Sequence, residues 1–244
     1  CNEAFEPGYA GRALKVNALG TRNLIRALVS RREGTTPLPL FIYLSTFHVY
    51  GRSEGRINED DPAEPRNDYA LTHFFGEEYC RMAARVSGLP VILLRISNCY
   101  GAPKTSESDK WYLLLNDLCR MAAERKEILL QSDPATLRDF VWMGDMATVM
   151  ERLVLRRDLA GRLFNLASGT PFSIGQVAQS VAEEASSRYG KPVPVIHTAS
   201  VAETQRNGSP ELRISNAALC SALDFRFQDR MREEIRQLLA LAEE

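Results

Sequence analysis

Two short apolar runs constrain this chain more than anything else in it: residues 40–45 (LFIYLS) and residues 90–96 (PVILLRI). Each is only a few residues long and rich in β-formers. Neither alternates with polar positions, as a strand with one wet face would. Such runs are strands buried on both faces. Between them lie a polar stretch at 51–68, with Gly, Pro, Asp and Asn, and a helical segment at 69–86 stopped by Gly88 and Pro90. Strand, loop, helix, strand is the rhythm of a parallel α/β sheet. An amphipathic helix at 10–32 precedes the first run, with Leu14, Val16, Leu19, Leu24, Ile25 and Leu28 near helical spacing. Downstream the pattern predicts a helix at 109–126 and strands at 127–131 and 139–143, then a helix from Asp145. A strand at 162–167, a helix at 173–189, a strand at 192–197 and a terminal helix at 228–244 complete it.

Composition narrows the function classes. Thirty basic residues face 31 acidic ones, for a net charge of −1, so no single-sign field points to nucleic acid or an anionic membrane. No apolar run approaches the length of a membrane span. The five cysteines, Cys1, Cys80, Cys99, Cys119 and Cys220, are scattered without a CxxC pair. That spacing supports neither a metal site nor a disulfide framework, and predicts free thiols in a reducing cytoplasm.

The segment LSTFHVYG (44–51) resembles the S-[ST]-x-x-V-Y-G strand end of the extended short-chain dehydrogenase/reductase family, whose members include NAD-dependent nucleotide-sugar epimerases and dehydratases. About two dozen residues on, NDYALTHFFGEEY places Tyr69 where that family carries its tyrosine. Four further segments resemble family motifs in the same order: KVNALGTRNLIRAL, LRISNCYGAP, TLRDFVWMGDMA and RLFNLASG. The stretch RNGSPELRISNAALCSALDF is similar to a fifth. The resemblance implies a partial Rossmann-like parallel sheet with flanking helices and a smaller interleaved α/β substrate subdomain. Residues 1–101 would form the C-terminal part of the dinucleotide-binding domain, with returns at about 139–170, and 102–138 with 171–244 the nucleotide-sugar subdomain.

The resemblance also implies roles. Thr46 would hold the reacting sugar hydroxyl and Tyr69 would move its proton. Position 73, one turn on along the same helix face, would carry a lysine whose charge lowers the tyrosine pKa. Here that residue is His73, so the catalytic set is Thr46, Tyr69 and His73. Asn17, Tyr69, His73 and Ser97 would contact NAD or NADP. His48, Asn98, Arg138 and Arg206 would contact the nucleotide-sugar, with arginine suited to diphosphate oxygens. At the positions where 4,6-dehydratases carry an acidic pair the chain has Phe47 and His48, which argues against a dehydratase.

The resemblance thus implies an epimerase or a ketosugar reductase, cytoplasmic and dimeric through helices 10–32 and 69–86. The alternative is a catalytically degenerate member that binds a nucleotide-sugar or a partner. It is favoured by His73 and by the lack, within these residues, of the family's strand, Gly-rich turn and helix. On that alignment roughly 70 residues of the family's nucleotide-binding unit would precede Cys1, and the 40–45 strand would lie at an exposed sheet edge.

Overall fold

The computed structural model describes residues 8–31, 36–197 and 211–244. The first helical segment is α1 (Tyr9–Ala13), a π-helical stretch (Leu14–Gly20) and α2 (Thr21–Ser30), in immediate succession. The first apolar run is β1 (Phe41–Thr46), ending in a 3₁₀ turn at Phe47–Tyr50. Then come β2 (Gly55–Ile57), α3 (Asp68–Ser87), β3 (Val91–Ile96) and β4 (Asn98–Tyr100). A 3₁₀ turn at Asp109–Tyr112 leads to α4 (Leu114–Arg125), β5 (Ile128–Leu130), β6 (Leu137–Trp142) and α5 (Met143–Leu153). The remainder is β7 (Leu163–Leu166), β8 (Pro171–Ser173), α6 (Ile174–Tyr189), β9 (Val195–His197), β10 (Leu212–Ile214), α7 (Ala217–Leu223) and α8 (Met231–Leu241).

The predicted parallel sheet is present, in the order β1-β3-β7, with Thr46 opposite Ile96 and Ile96 opposite Leu166. Among the described residues β1 is an edge strand. Both faces of this sheet are covered, as the unbroken apolar runs require. On one face Tyr43, Val91 and Leu93 pack with Ile25 of α2 and with Cys80 and Ala83 of α3. On the other, Ile92, Leu94 and Phe164 pack with Val149 and Leu153 of α5 and Leu219 and Leu223 of α7. A separate apolar cluster joins α4, α6 and α8 through Leu118, Val181 and Leu238. Among the described residues no helix is long and apolar enough to cross a membrane.

Several short elements differ from the sequence expectation. The stretch 51–68 contains β2, which pairs in parallel with β10, and β4 follows β3 after the single residue Ser97 to pair with β6. Ile57, the one apolar side chain of β2, is fully buried. Strands of three residues carry too little pattern to read locally, and their partners lie far along the chain.

Helix α3 is fixed at both ends. The Asn67 side chain accepts from the Ala70 amide at 2.8 Å, and Gly88 closes the helix at φ 68° with its amide donating to the Ala84 carbonyl. In its middle, Gly76 lets the π-helical stretch and β1 approach. A Cβ there would overlap the Tyr43 hydroxyl and come within 3.0 Å of the Asn17 carbonyl oxygen. The Tyr43 hydroxyl donates to the His73 carbonyl at 3.3 Å, a bond that a shift away from position 76 would stretch. Gly76→Ala is therefore expected to destabilise the fold by about 1–3 kcal/mol, although alanine is the better helix former by about 1 kcal/mol. Urea unfolding reads the difference directly, and an unchanged or raised midpoint would contradict this packing.

Candidate active site

Thr46 is the last residue of β1 and is buried. Its hydroxyl accepts from the His48 amide at 3.3 Å and so caps the 3₁₀ turn that follows. The turn closes at Gly51 with φ 64°, where any Cβ would run into the Glu64 carbonyl. The cap swings His48 back over the strand end. Asn67, capping α3, puts Tyr69 in its first turn, and His73 follows one turn later on the same face. The Tyr69 and His73 rings meet edge to face at 4.7 Å, and His48 stands edge-on to Tyr69 at 5.9 Å.

Thr46, Phe47, His48, Tyr69, His73, Ser97 and Asn98 line one cleft of about 310 Å³. It opens at the carboxyl ends of β1 and β3, the end of a parallel sheet at which ligands bind. Asn98 also lines a smaller adjoining pocket of about 140 Å³ with Tyr100, Asn116, Arg138 and Phe140.

Behind the cleft lies a buried charged network. Arg95 of β3 donates Nε and Nη2 to the two carboxylate oxygens of Glu77 at 2.9 and 2.8 Å. Glu77 also accepts from the Ser45 hydroxyl at 2.6 Å and from Arg81 at 3.0 Å. The Arg95 guanidinium lies 4.4 Å from the centre of the Tyr50 ring, and the Tyr50 hydroxyl donates to Asn165 at 2.7 Å. Glu77 is one turn beyond His73 on α3, and Ser45 is next to Thr46. The pair therefore clamps the strand and the helix that carry the two cleft hydroxyls.

The electrostatics of the cleft follow from burial. Burial lowers the His73 pKa below its ordinary value, and the Glu77 carboxylate only partly opposes this. The His73 Nδ1 is buried and has no hydrogen-bond partner among the described residues. Burial, with the Arg138 charge adding to it, pushes His48 down to about 4. Burial lifts the Tyr69 phenol above its ordinary 10.0, with hydrogen bonding from Thr46 pulling the other way.

The structure thus brings Thr46, His48, Tyr69, His73, Ser97 and Asn98 to one cleft, with Arg138 beside it. The Ser97 hydroxyl donates to Asp139 at 2.6 Å, and the Asn98 amide to the Asp139 carbonyl at 2.9 Å. Asn17 lies one layer back, where its amide donates to Thr72 at 3.1 Å. Arg138 is half-buried and forms no ion pair with the described residues. Arg206 lies outside the described residues. Sequence reasoning missed Glu77, Arg95 and Asp139 as organising groups. The available signal was Arg95 itself, a charge inside an otherwise apolar strand.

The model of the NAD dependent epimerase/dehydratase family matches residues 7–167. The chain belongs to this family. A GDP-6-deoxy-D-mannose reductase of Pseudomonas aeruginosa is 30% identical over 188 residues, covering 74% of this chain and 58% of its own. The structure of RMD from Pseudomonas aeruginosa complexed with NADPH superposes with a TM-score of 0.79 at 24% identity, over 100% of this chain and 79% of that one. A UDP-glucuronic acid 4-epimerase from Bacillus cereus in complex with NAD superposes at 0.73 with 18% identity, over 93% of this chain and 65% of that one. The chain spans about half the length of the curated relatives it matches, 54% and 50% in two of them.

The clamp has a measurable signature. Glu77→Ala leaves Arg95 buried without a counter-charge and is expected to lower stability by about 3–5 kcal/mol. Burial raises the Glu77 carboxyl pKa, but the hydrogen bonds and charge of Arg95, with Ser45 and Arg81, outweigh it and hold the group below its ordinary 4.5. A depressed carboxyl stabilises the fold fully above its unfolded value and loses that contribution as pH falls through its folded one. Unfolding measured across acid pH should therefore show the wild type losing stability below pH 4.5 more steeply than Glu77→Gln. Parallel curves would remove Glu77 from this role.

Proposed function

We propose that this chain belongs to an NAD(P)-dependent enzyme that transfers hydride at a carbon of a nucleotide-sugar, as an epimerase or a ketosugar reductase. One observation carries the reading: Thr46, Tyr69 and His73 line one cleft at the carboxyl ends of β1 and β3. Thr46 orients the sugar oxygen, and Tyr69 exchanges a proton with it. Residues 1–101, with returns at about 139–170, serve the dinucleotide side, and 102–138 with 171–244 the nucleotide-sugar side.

The residues present fit a nicotinamide dinucleotide. Tyr69 and His73 line the cleft as hydrogen-bonding side chains that a ribose hydroxyl can meet. The similar structures named above hold NADPH and NAD. When bound, the nicotinamide gives or takes the hydride. Tyr69 and His73 face it, with Ser97 at the cleft wall and Asn17 supporting α3 from behind. On the substrate side His48 and Asn98 line the path toward Arg138, whose guanidinium, in no ion pair with the described residues, suits a diphosphate. Arg206 is assigned to the same diphosphate.

The apolar face shared by the π-helical stretch and α3 exposes Leu19, Phe75 and Met82. We assign it to a second copy of the chain, as in a homodimer. Phe75→Glu with Met82→Glu should convert a dimer to a monomer in sedimentation, and an unchanged mass would remove this interface.

Calorimetric titration of the full-length protein with UDP-, GDP-, dTDP- and CDP-sugars tests the main reading. A nucleotide-sugar should bind, and Arg138→Ala should weaken it about tenfold or more, the loss of a charged hydrogen bond. Absence of nucleotide-sugar binding by the full-length protein would overturn the reading.

A further inference from the structure

Resting on the reading of Asn98 and Arg138 as the diphosphate side of the cleft, we infer that Glu234 is a positioning residue: from α8 it sets the frame of the pocket those two residues line. Glu234 is buried. Its two carboxylate oxygens accept from two separate segments, Oε1 from the Trp142 indole N–H at 2.7 Å and Oε2 from the Ala102 amide at 2.7 Å. At the start of the same helix the Arg230 amide donates to the Tyr100 hydroxyl at 2.9 Å. Tyr100 of β4 and Trp142 of β6 are direct register partners. The first turn of α8 therefore grips both members of one cross-strand pair, together with the chain just beyond β4.

Those anchor points frame the pocket of about 140 Å³, to which β4 and β6 supply Asn98, Tyr100, Arg138 and Phe140, and the start of α4 supplies Leu113 and Asn116. Trp142 is the last residue of β6, the strand that carries Arg138, and Tyr100 is the last of β4, whose first is Asn98. A shift at the anchored ends is carried along these strands to the two ligand-facing side chains. The chain leaves β4 through Ala102 and returns to the pocket at Leu113, so the Ala102 anchor also fixes where that connection begins. Met231, Ile235 and Leu238 of α8 pack in the apolar cluster with α4 and α6. Apolar contact has no preferred direction and leaves the rotation of α8 against the β4–β6 pair open. A carboxylate between two N–H donors closes it, because each bond weakens as its length or angle drifts. Glutamine has nearly the same shape but only one oxygen. That oxygen would keep the Ala102 amide, which the backbone holds in place, and the glutamine N–H₂ would face the indole N–H.

Binding separates positioning from plain stability. The full-length protein is titrated calorimetrically with GDP, UDP, dTDP and CDP as probes of the diphosphate side, and with NADPH as the probe of the other side. In Glu234→Gln the nucleoside diphosphate that binds the wild type most tightly should bind about tenfold more weakly, as when a charged hydrogen bond is lost, while NADPH affinity stays within about twofold. Adding Trp142→Phe to Glu234→Gln removes the donor that faces the new amide and should restore most of the lost affinity. A side chain that only stabilised the fold would show additive losses instead. A folded Glu234→Gln protein with wild-type nucleoside diphosphate affinity, with an equal loss toward NADPH, or without rescue by Trp142→Phe would overturn the inference. If Glu234→Gln does not fold, Trp142→Phe alone decides. Several-fold weaker nucleoside diphosphate binding with unchanged NADPH binding supports the anchor, and unchanged binding of both removes it. A wild-type protein that binds NADPH but none of the four nucleoside diphosphates would instead overturn the reading of the pocket, and the inference with it.

Discussion

The ion pair between Glu77 and Arg95 is the constraint from which the rest of the site follows. Both side chains are almost wholly removed from water. Taking two charges into the interior is costly, and their attraction offsets that only with near-ideal geometry and further hydrogen bonds. Here the geometry is bidentate, Ser45 and Arg81 complete the carboxylate, and the Tyr50 ring covers the guanidinium. Each partner sits on a different element, α3 and β3, while Ser45 adds β1 and Tyr50 the turn after it. Four elements are therefore referred to one point. A hydrophobic pair of the same volume could hold the helix against the sheet, but would leave it free to slide. The fork of donors on two oxygens sets the register of α3 along β1.

That register decides the cleft. Ser45 is adjacent to Thr46, and Glu77 is one turn from His73 and two from Tyr69, so fixing the first members of these pairs fixes the others. The Asn67 cap and the Thr46 cap do the rest locally, by setting where the helix begins and how sharply the chain turns after the strand. Gly76 permits the approach that makes this possible, since its missing side chain is where the Tyr43 hydroxyl sits. Positioning in this molecule thus comes from one long-range charged contact and a few short-range caps. The apolar layers on either side of the sheet supply the bulk of the stability but little of the alignment, because apolar contact is not directional.

The sequence made the larger elements legible for a plain reason: β1, β3, α3, α6 and the terminal helix each bury a whole face, so their patterns are long enough to read. The Thr46, Tyr69 and His73 spacing was legible because it lies on one strand end and one helix turn. What escaped was everything held by distant partners. Strand β2 needs β10, and β4 needs β6, to exist at all. The π-helical register at Leu14–Gly20 is a matter of backbone hydrogen bonding that side-chain periodicity does not report. Arg95 was visible as a charge in an apolar strand, yet its partner could be found only by folding the chain. The direction of the His73 pKa shift was equally hidden, since burial outweighs the nearby Glu77 carboxylate in setting it.

The presence of histidine where the family resemblance implies lysine has a local electrostatic logic. The face of α3 below position 73 already carries one carboxylate, Glu77, held by two guanidiniums, Arg95 and Arg81. A further cation one turn away would meet a carboxylate whose oxygens are taken and two positive groups beyond it. The His73 imidazole, whose pKa burial lowers, eases that repulsion and packs edge-on against Tyr69. The chemistry open to the cleft is set as much by the network behind it as by the residues that line it.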